Sequence, residues 1–348
     1  MPDTLSSIQH WVRTLPGLES TSPDVTFKYE RDGVARYRVS AGDTVLVLKH
    51  FTGGPGTRSS LLARGARDMV QAETAGLQEY GPAGLAPELV WSGAMPPEIE
   101  GYAIVYKRVE GLTGDEAYLT EAHAERLGRA LHQVHSHQAN TKLLAPHPRN
   151  LAGWWNRVHE QYRDLPPDFL AGLPHALEDA LTALVQSVSG DANAHVRFWQ
   201  GASLVPVHGN PTMHNVIVHG TRVTLVDWWR FGLGDPAFEL ASAAWEMYMA
   251  GHESLVEHLV SPYLRLAGDI MLERRVMIYR RLLPFGRFLE ILHRRWRGDT
   301  LTPEQVKQGN RYLSAAMMVY GWPHQTVDEA LKQFATWLTT AQNALNND

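Results

Sequence analysis

Between Val25 and Phe51 three stretches alternate apolar and polar side chains, VTFKYER, VARYRVS and TVLVLKHF, with Asp32-Gly33 and Ala41-Gly42-Asp43 in the gaps. A period of two places neighbouring side chains on opposite faces of a strand, and gaps this short force each strand to double back on the last. The segment therefore predicts three antiparallel strands. Upstream, Ile8, Trp11, Val12 and Leu15 are spaced as one short amphipathic helix closed by Pro16-Gly17. Downstream, TGGPGTRSS at 52–60 reads as a flexible loop. Residues 61–80 read as a helix with Leu62, Ala66, Met69, Val70, Ala72 and Leu77 on one side, ended by Gly81-Pro82. Glu88–Ser92 and Tyr102–Lys107 bring the sheet to about five strands in a compact α+β unit, and Gly111–Gly114 is the expected hinge.

Beyond it the pattern turns helical, at 120–137, 151–163 and 175–188, with Pro166-Pro167 between the last two. A β interlude follows at Leu204–Val207, Val216–Val218 and Val223–Val226. From Pro236 the chain is helical, with breaks expected near Gly251, Pro284, Gly298 and Gly321–Pro323. The 348 residues thus divide into a small N-terminal domain, 1–110, and a larger, mostly helical one, 111–348. An apolar share of 44% against 20% charged is that of a folded chain. The lack of Cys removes disulfides, thiolate metal sites and cysteine nucleophiles. The longest apolar runs, such as Ala202–Val207 and Val45–Leu48, fall far short of a membrane span, and MPDTLSSIQHW has no basic start followed by an apolar stretch. A soluble cytoplasmic protein is expected, monomer or homodimer, with no membrane partner. Its net charge of −5 argues against an extended nucleic-acid surface.

The densest chemical signal is HGNPTMHNVIV at 208–218, followed by LVDW at 225–228. Asn215 and Asp227, polar residues where apolar strands begin and end, can each offer an oxygen to a divalent ion that otherwise keeps water and phosphate ligands, the habit of magnesium. Lysine is scarce, six in the whole chain, and Lys49 lies inside the apolar strand VLVLKHF. An ammonium there needs an anionic partner, because burying it alone is costly. His132, His135 and His137 resemble metal spacing only weakly and are expected at the surface or in packing.

The segments HGN-x4-N, VDW and GDPAFELA, with the Lys strand and the helix after it, resemble the aminoglycoside phosphotransferase and choline kinase superfamily, relatives of protein kinases, over most of the chain. The resemblance implies a bilobed protein-kinase-like fold, with a small antiparallel-sheet N-lobe and a large, mostly helical C-lobe. It implies ATP and Mg²⁺ between the lobes and transfer of the γ-phosphoryl group to a hydroxyl of a small molecule. Residue by residue, Lys49 matches the lysine that holds the α- and β-phosphates, and Glu73 the glutamate that pairs with it, with Glu79 as the rival. Gly33 stands in the phosphate loop, where the family's further glycines are missing. Tyr106 and Arg108 lie on the connector that holds the adenine edge through backbone groups. Asn215 and Asp227 match the metal ligands. His208 pins the catalytic loop, and Asp235, ahead of Pro236, supports it by capping the next helix.

The departure that matters most is Asn210, where the family places the Asp that accepts the acceptor's proton. Asn is isosteric and can accept a hydrogen bond, but cannot take a proton near neutral pH. Asn210 is compatible with a natural, weak or differently based enzyme, with a nucleotide-binding pseudokinase of regulatory or scaffolding role, or with a laboratory substitution that traps a complex. Because Lys49, Glu73, Asn215 and Asp227 all persist, an underlying phosphotransferase is the favoured reading. His214 is expected to bond to backbone rather than relay protons.

Antibiotics and metabolites are both among the family's acceptors. From Pro236 to Asp299 eight acids stand against nine arginines, which does not suggest a site for a polycation. Paired arginines at 274–275, 280–281 and 294–295, interleaved with Tyr279, Phe285, Phe288 and Trp296, suit a neutral or anionic acceptor with an apolar or planar part. Trp229, Arg274 and Tyr279 are the candidate acceptor contacts. An ordinary solvated helix surface with Arg-Glu pairs is an equal alternative.

Overall fold

The computed structural model describes residues 2–18, 22–31, 33–52, 65–138, 142–143, 149–298 and 301–345. β1 (Asp24–Arg31), β2 (Val34–Ala41) and β3 (Thr44–Phe51) form the meander, and β4 (Leu89–Ala94) and β5 (Tyr102–Lys107) complete an antiparallel sheet in the order β1-β2-β3-β5-β4. The register pairs Arg36 with Lys49 and Lys49 with Ile104, so these three share one face, while Tyr37, Leu48 and Val105 share the other. The apolar face is closed by α1 (Pro2–Val12): Ile8, Trp11 and Val12, with Leu15 and Leu18 beyond, join Tyr37, Val39, Leu46, Leu48 and Val105 in one buried cluster. α2 (Ala66–Tyr80) carries Glu73 to the face that holds Lys49. Asp32, the loop 53–60 and the expected helix start at 61–64 lie outside the described residues.

Part of the expected hinge is strand: β6 (Leu112–Thr113) pairs with β8 (Val216–His219), which pairs in turn with β9 (Arg222–Leu225). β7 (Val205–Val207) pairs with β10 (Gly232–Gly234). The chain forms two compact units. The first comprises Met1–His147, Leu204–Glu239 and Ser254–Ala267, and holds all of these strands with α1, α2, α3 (Glu121–Ser136) and the segment of α8 (Val256–Ala267). The second comprises Pro148–Ser203, Leu240–Glu253 and Gly268–Asp348, and is built on α4 (Leu151–Arg163), α5 (Pro167–Ala171), α6 (His175–His195), α9 (Ile270–Trp296), α10 (Pro303–Val319) and α11 (His324–Leu345). α7 (Pro236–Met249) runs through both sets of residues. The fold is of the bilobed, protein-kinase-like α+β class, a small antiparallel sheet ahead of a larger, mostly helical part. Among the described residues no helix is long and apolar enough to cross a membrane.

In the second unit α9 continues through Pro284, where a break was expected. Proline has no N–H, so it leaves the carbonyl four residues earlier without its helical donor. That carbonyl, of Arg280, instead accepts from Trp245 Nε1 at 2.7 Å. Burial of Leu282, Leu283, Phe285 and Phe288 holds the helix on either side of the defect. Replacing the donor with Trp245→Phe is expected to cost about 1–3 kcal/mol in urea unfolding. Adding Pro284→Ala to that variant restores an N–H to the helix and should recover part of the loss.

Candidate active site

Within the first unit, Lys49 on β3 is 1% exposed and is held by two carboxylates. Its Nζ donates to Glu73 Oε1 at 2.5 Å and to Asp227 Oδ1 at 2.5 Å. Glu79 pairs instead with His137, at 2.8 Å. The Tyr106 ring, on the same sheet face, has its centroid 5.6 Å from the ammonium. Arg36, directly across from Lys49 on β2, donates to the same Asp227 oxygen at 2.9 Å.

The electrostatics follow from these distances. Burial by itself would lower the Lys49 pKa, but Asp227 and Glu73 outweigh it and hold the ammonium above its ordinary value. Burial works the other way on Asp227, yet Lys49 and Arg36 hold its carboxyl well below the usual carboxylate range. For Glu73 burial prevails over Lys49 and raises the pKa. Its Oε2 is buried without a hydrogen-bond partner among the described residues. Burial pushes the Tyr106 hydroxyl up to about 12.

Asp227 has left-handed backbone, φ 70° and ψ 52°, a conformation that costs a non-glycine residue roughly 1 kcal/mol or more. The surroundings fix it there. Trp229 Nε1 donates to Oδ2 at 3.2 Å. Trp228 is fully buried, stacked on Tyr80 and edge-on to His208, with ring centroids 5.0 and 4.5 Å away. Val226 N donates to the Asn215 carbonyl at 2.9 Å, beside the Val216–Leu225 pair, so Asn215 and Asp227 stand at the same end of the β8–β9 hairpin.

The loop before β8 is tied internally. Asn210 N donates to His208 Nδ1 at 3.2 Å, and His208 Nε2 lies 3.0 Å from the Val226 carbonyl. One neutral tautomer, protonated on Nε2, satisfies both contacts. Burial depresses the His208 pKa, which agrees with that form. Asn215 Nδ2 donates to the Asn210 carbonyl at 3.0 Å, leaving Oδ1 as the side chain's acceptor. Glu239 at the start of α7 is wholly buried, and its two oxygens take three donors: Gly209 N at 2.5 Å, His208 N at 2.9 Å and His135 Nε2 at 2.7 Å. His135 Nδ1 lies 2.6 Å from the Tyr263 hydroxyl. Asp235 Oδ1 accepts from Ala237 N at 3.0 Å at the start of α7. Gly209 has φ 90°, and a Cβ there would lie 2.4 Å from the Arg230 carbonyl oxygen.

The structure thus brings Lys49, Glu73, Tyr106, Asp227 and Trp229 into one group and ties His208, Asn210 and Asn215 to its edge. Gly33 has φ 72° and its carbonyl accepts from Thr52 N at 3.1 Å. Arg108 is exposed, and its N–H donates to the Val45 carbonyl at 2.9 Å. Arg274 and Tyr279 belong to the second unit. Arg274 lies over Phe198 at 5.6 Å, and Tyr279 is fully buried against Trp154 and Trp199. Phe285 and Phe288 are buried as well, while Arg281 pairs with Asp191 at 2.8 Å and Arg287 with Glu290 at 3.0 Å. Most of the arginine and aromatic stripe is therefore core and ion pair. His214 pairs with the Asp115 carboxylate rather than with backbone. Sequence reasoning missed Arg36, Glu239 and the buried role of His135. Arg36 carries no mark of its own in the sequence, since only the β2–β3 register sets it opposite Lys49.

The donor set suits magnesium. Among the described residues no three His, Cys, Asp or Glu side chains cluster as a metal cage. One carboxylate and one amide oxygen match an ion that takes its other ligands from phosphate and water. A carboxylate has about four lone-pair sites, and Asp227 accepts three donors, so capacity for a cation remains.

Residues 33–275 match the phosphotransferase enzyme family. The chain belongs to that family. No curated relative matches this chain in sequence. Its fold is similar to solved structures. A choline/ethanolamine kinase family protein from Mesorhizobium loti aligns with TM-score 0.62 and 16% identity, covering 96% of this chain and 99% of the other. Choline kinase from Cryptosporidium parvum aligns with TM-score 0.58 and 12% identity, again over 96% and 99%. A thermostable mutant of aminoglycoside phosphotransferase APH(4)-Ia with a further Asp-to-Ala substitution, solved with ADP and hygromycin B, aligns with TM-score 0.53 and 14% identity over 90% and 97%. At these identities the likeness is one of fold.

Two substitutions probe how this loop is held. Gly209→Ala combines a left-handed backbone with a steric clash and should lower stability by at least about 2 kcal/mol in chemical unfolding. The depressed His208 pKa contributes stability that is whole above the ordinary imidazole value of 6.5 and is lost as pH falls toward the folded value. Melting temperatures measured between about pH 7.5 and pH 5 should fall less steeply in His208→Asn than in the parent.

Proposed function

We propose that this phosphotransferase moves the γ-phosphoryl group of ATP to a hydroxyl of a small molecule with the help of Mg²⁺. The observation that carries the reading is Lys49 and Asp227 meeting at 2.5 Å on a sheet face where Glu73 holds the lysine from behind. Lys49 holds the phosphates, and Glu73 fixes its direction. Asn215 Oδ1 and the Asp227 carboxylate would hold the metal, which when bound would supply positive charge against that of the phosphoryl group in a loose transition state. The turn at Gly33 and the connector at Tyr106 and Arg108 frame the nucleotide, within a nucleotide-binding lobe of residues 1–110. The acceptor is bound by the lobe of residues 111–348.

Asn210 occupies the position of the proton acceptor. Its side chain orients the acceptor hydroxyl as a neutral hydrogen-bond partner and leaves the proton without a local base, so turnover is slow but positioning is retained. The choline and aminoglycoside kinases among the solved neighbours support a small-molecule alcohol as acceptor. The balance of acids and arginines after Pro236 disfavours a polycation. Trp229, joined to Asp227, is the proposed acceptor-side wall; Tyr279 is assigned packing.

Proton-transfer catalysis is worth roughly 10²–10⁴-fold, so Asn210→Asp should raise ATP-dependent phosphorylation by at least about tenfold, read as ADP release across a panel of alcohols. If both forms bind nucleotide and neither turns over any acceptor, the chain is a nucleotide-binding protein without catalysis.

A further inference from the structure

Lys49 and Arg36 reach the same oxygen of Asp227, but from different settings. Lys49 is 1% exposed and enclosed by two carboxylates. The Arg36 side chain is 31% exposed and pairs with Asp227 at 2.9 Å. It leaves the turn at Gly33 on β2, on the sheet face of Lys49. The Tyr29 ring lies 5.4 Å from its guanidinium carbon and favours one orientation of the plane. A guanidinium carries five donors in a fixed fork suited to phosphate, and one carboxylate oxygen uses only part of that fork. The turn beside it offers a single glycine, so fewer backbone amides can approach a phosphate there.

We propose that Arg36 is a second phosphate-binding cation, which gives up the Asp227 carboxylate for phosphate oxygens when metal and nucleotide arrive. The inference rests on the phosphotransferase reading of the site and adds to it a residue that sets affinity for the phosphate chain. The charge balance favours such an exchange. Two cations and two carboxylates are matched in the protein by itself, and a metal at Asp227 would compete with both cations for that carboxylate. Lys49 would keep Glu73, whereas among the described residues Arg36 has no second acid in ion-pair contact.

The test is calorimetric titration of the parent and of R36M and R36K with ATP, ADP and adenosine, all with magnesium, with circular dichroism to confirm folding. R36M should weaken ATP by about tenfold or more, ADP by less and adenosine not at all, and R36K should recover only part of the loss. Unchanged or tighter ATP binding by R36M overturns the proposal, since Arg36 would then only compete with the metal for Asp227. An equal loss for ATP and adenosine overturns it in favour of a structural role. Should R36M not fold, R36Q, which keeps a donor to Asp227 without the charge, gives the same reading. A parent protein that binds no nucleotide overturns the phosphotransferase reading itself, whereas normal parent binding with an unaffected variant overturns only the role of Arg36.

Discussion

A lysine cannot stay charged inside an apolar sheet unless acids come to it, and much of the first unit is arranged around that requirement at Lys49. One ammonium between Glu73 and Asp227 leaves a surplus negative charge in a buried place, and Arg36 supplies the fourth charge that cancels it. The two carboxylates then behave differently for a simple reason. Glu73 is wholly buried and, among the described residues, has Lys49 as its one ion-pair partner, so desolvation prevails and raises its pKa. Asp227 has two cations, so its pKa falls although burial opposes this. Removing one member of such a group leaves a buried charge without compensation, which costs far more than the intact pairing contributes. The β2–β3 register, the placement of α2 and the left-handed turn at Asp227 are therefore parts of one constraint.

A second buried carboxylate solves a different problem. The turn at His208 and Gly209 follows β7 and has backbone N–H groups with no strand to receive them. Buried donors must be paired, and Glu239 does this with both oxygens while His135 and Tyr263 extend the network. The loop is gripped from α7 below and, through the His208 ring, from the end of β9. Its shape is thus imposed by regular elements on either side.

Legibility in the sequence tracks how local the cause is. The meander from Val25 to Phe51 was readable because alternation and turns are written within a few residues. β6 and β10, two and three residues long, are too short to show a period. Pro284 reads as a helix break because its rescue comes from Trp245, distant in sequence, whose indole has no sequence mark as a donor. The arginine and aromatic stripe misled for a related reason: helical spacing says which residues share a face, not whether that face is inside. Arg36 was passed over because an arginine on a half-exposed strand is ordinary, and only the register sets it opposite Lys49. Glu239 and His135 became a pair only in three dimensions.

The position of Asn210 brings these constraints together. Its carbonyl accepts from Thr212 N at 2.8 Å and Asn215 Nδ2 at 3.0 Å, and its N–H donates to His208. All three contacts are made by main-chain atoms of residue 210. The loop therefore keeps its geometry whether an amide or a carboxylate extends from that backbone, since the two side chains have the same shape. Asn215, Asp227 and the buried lysine are likewise anchored by Glu73, Arg36, Trp229 and the β8–β9 hairpin, none of which uses the Asn210 side chain. At neutral pH an Asp here would differ from Asn by one negative charge as well as by its proton affinity, while leaving these main-chain contacts in place. Under the proposed reading, positioning and proton transfer are separable in this loop, so that a phosphate-binding arrangement would be complete while residue 210 is neutral.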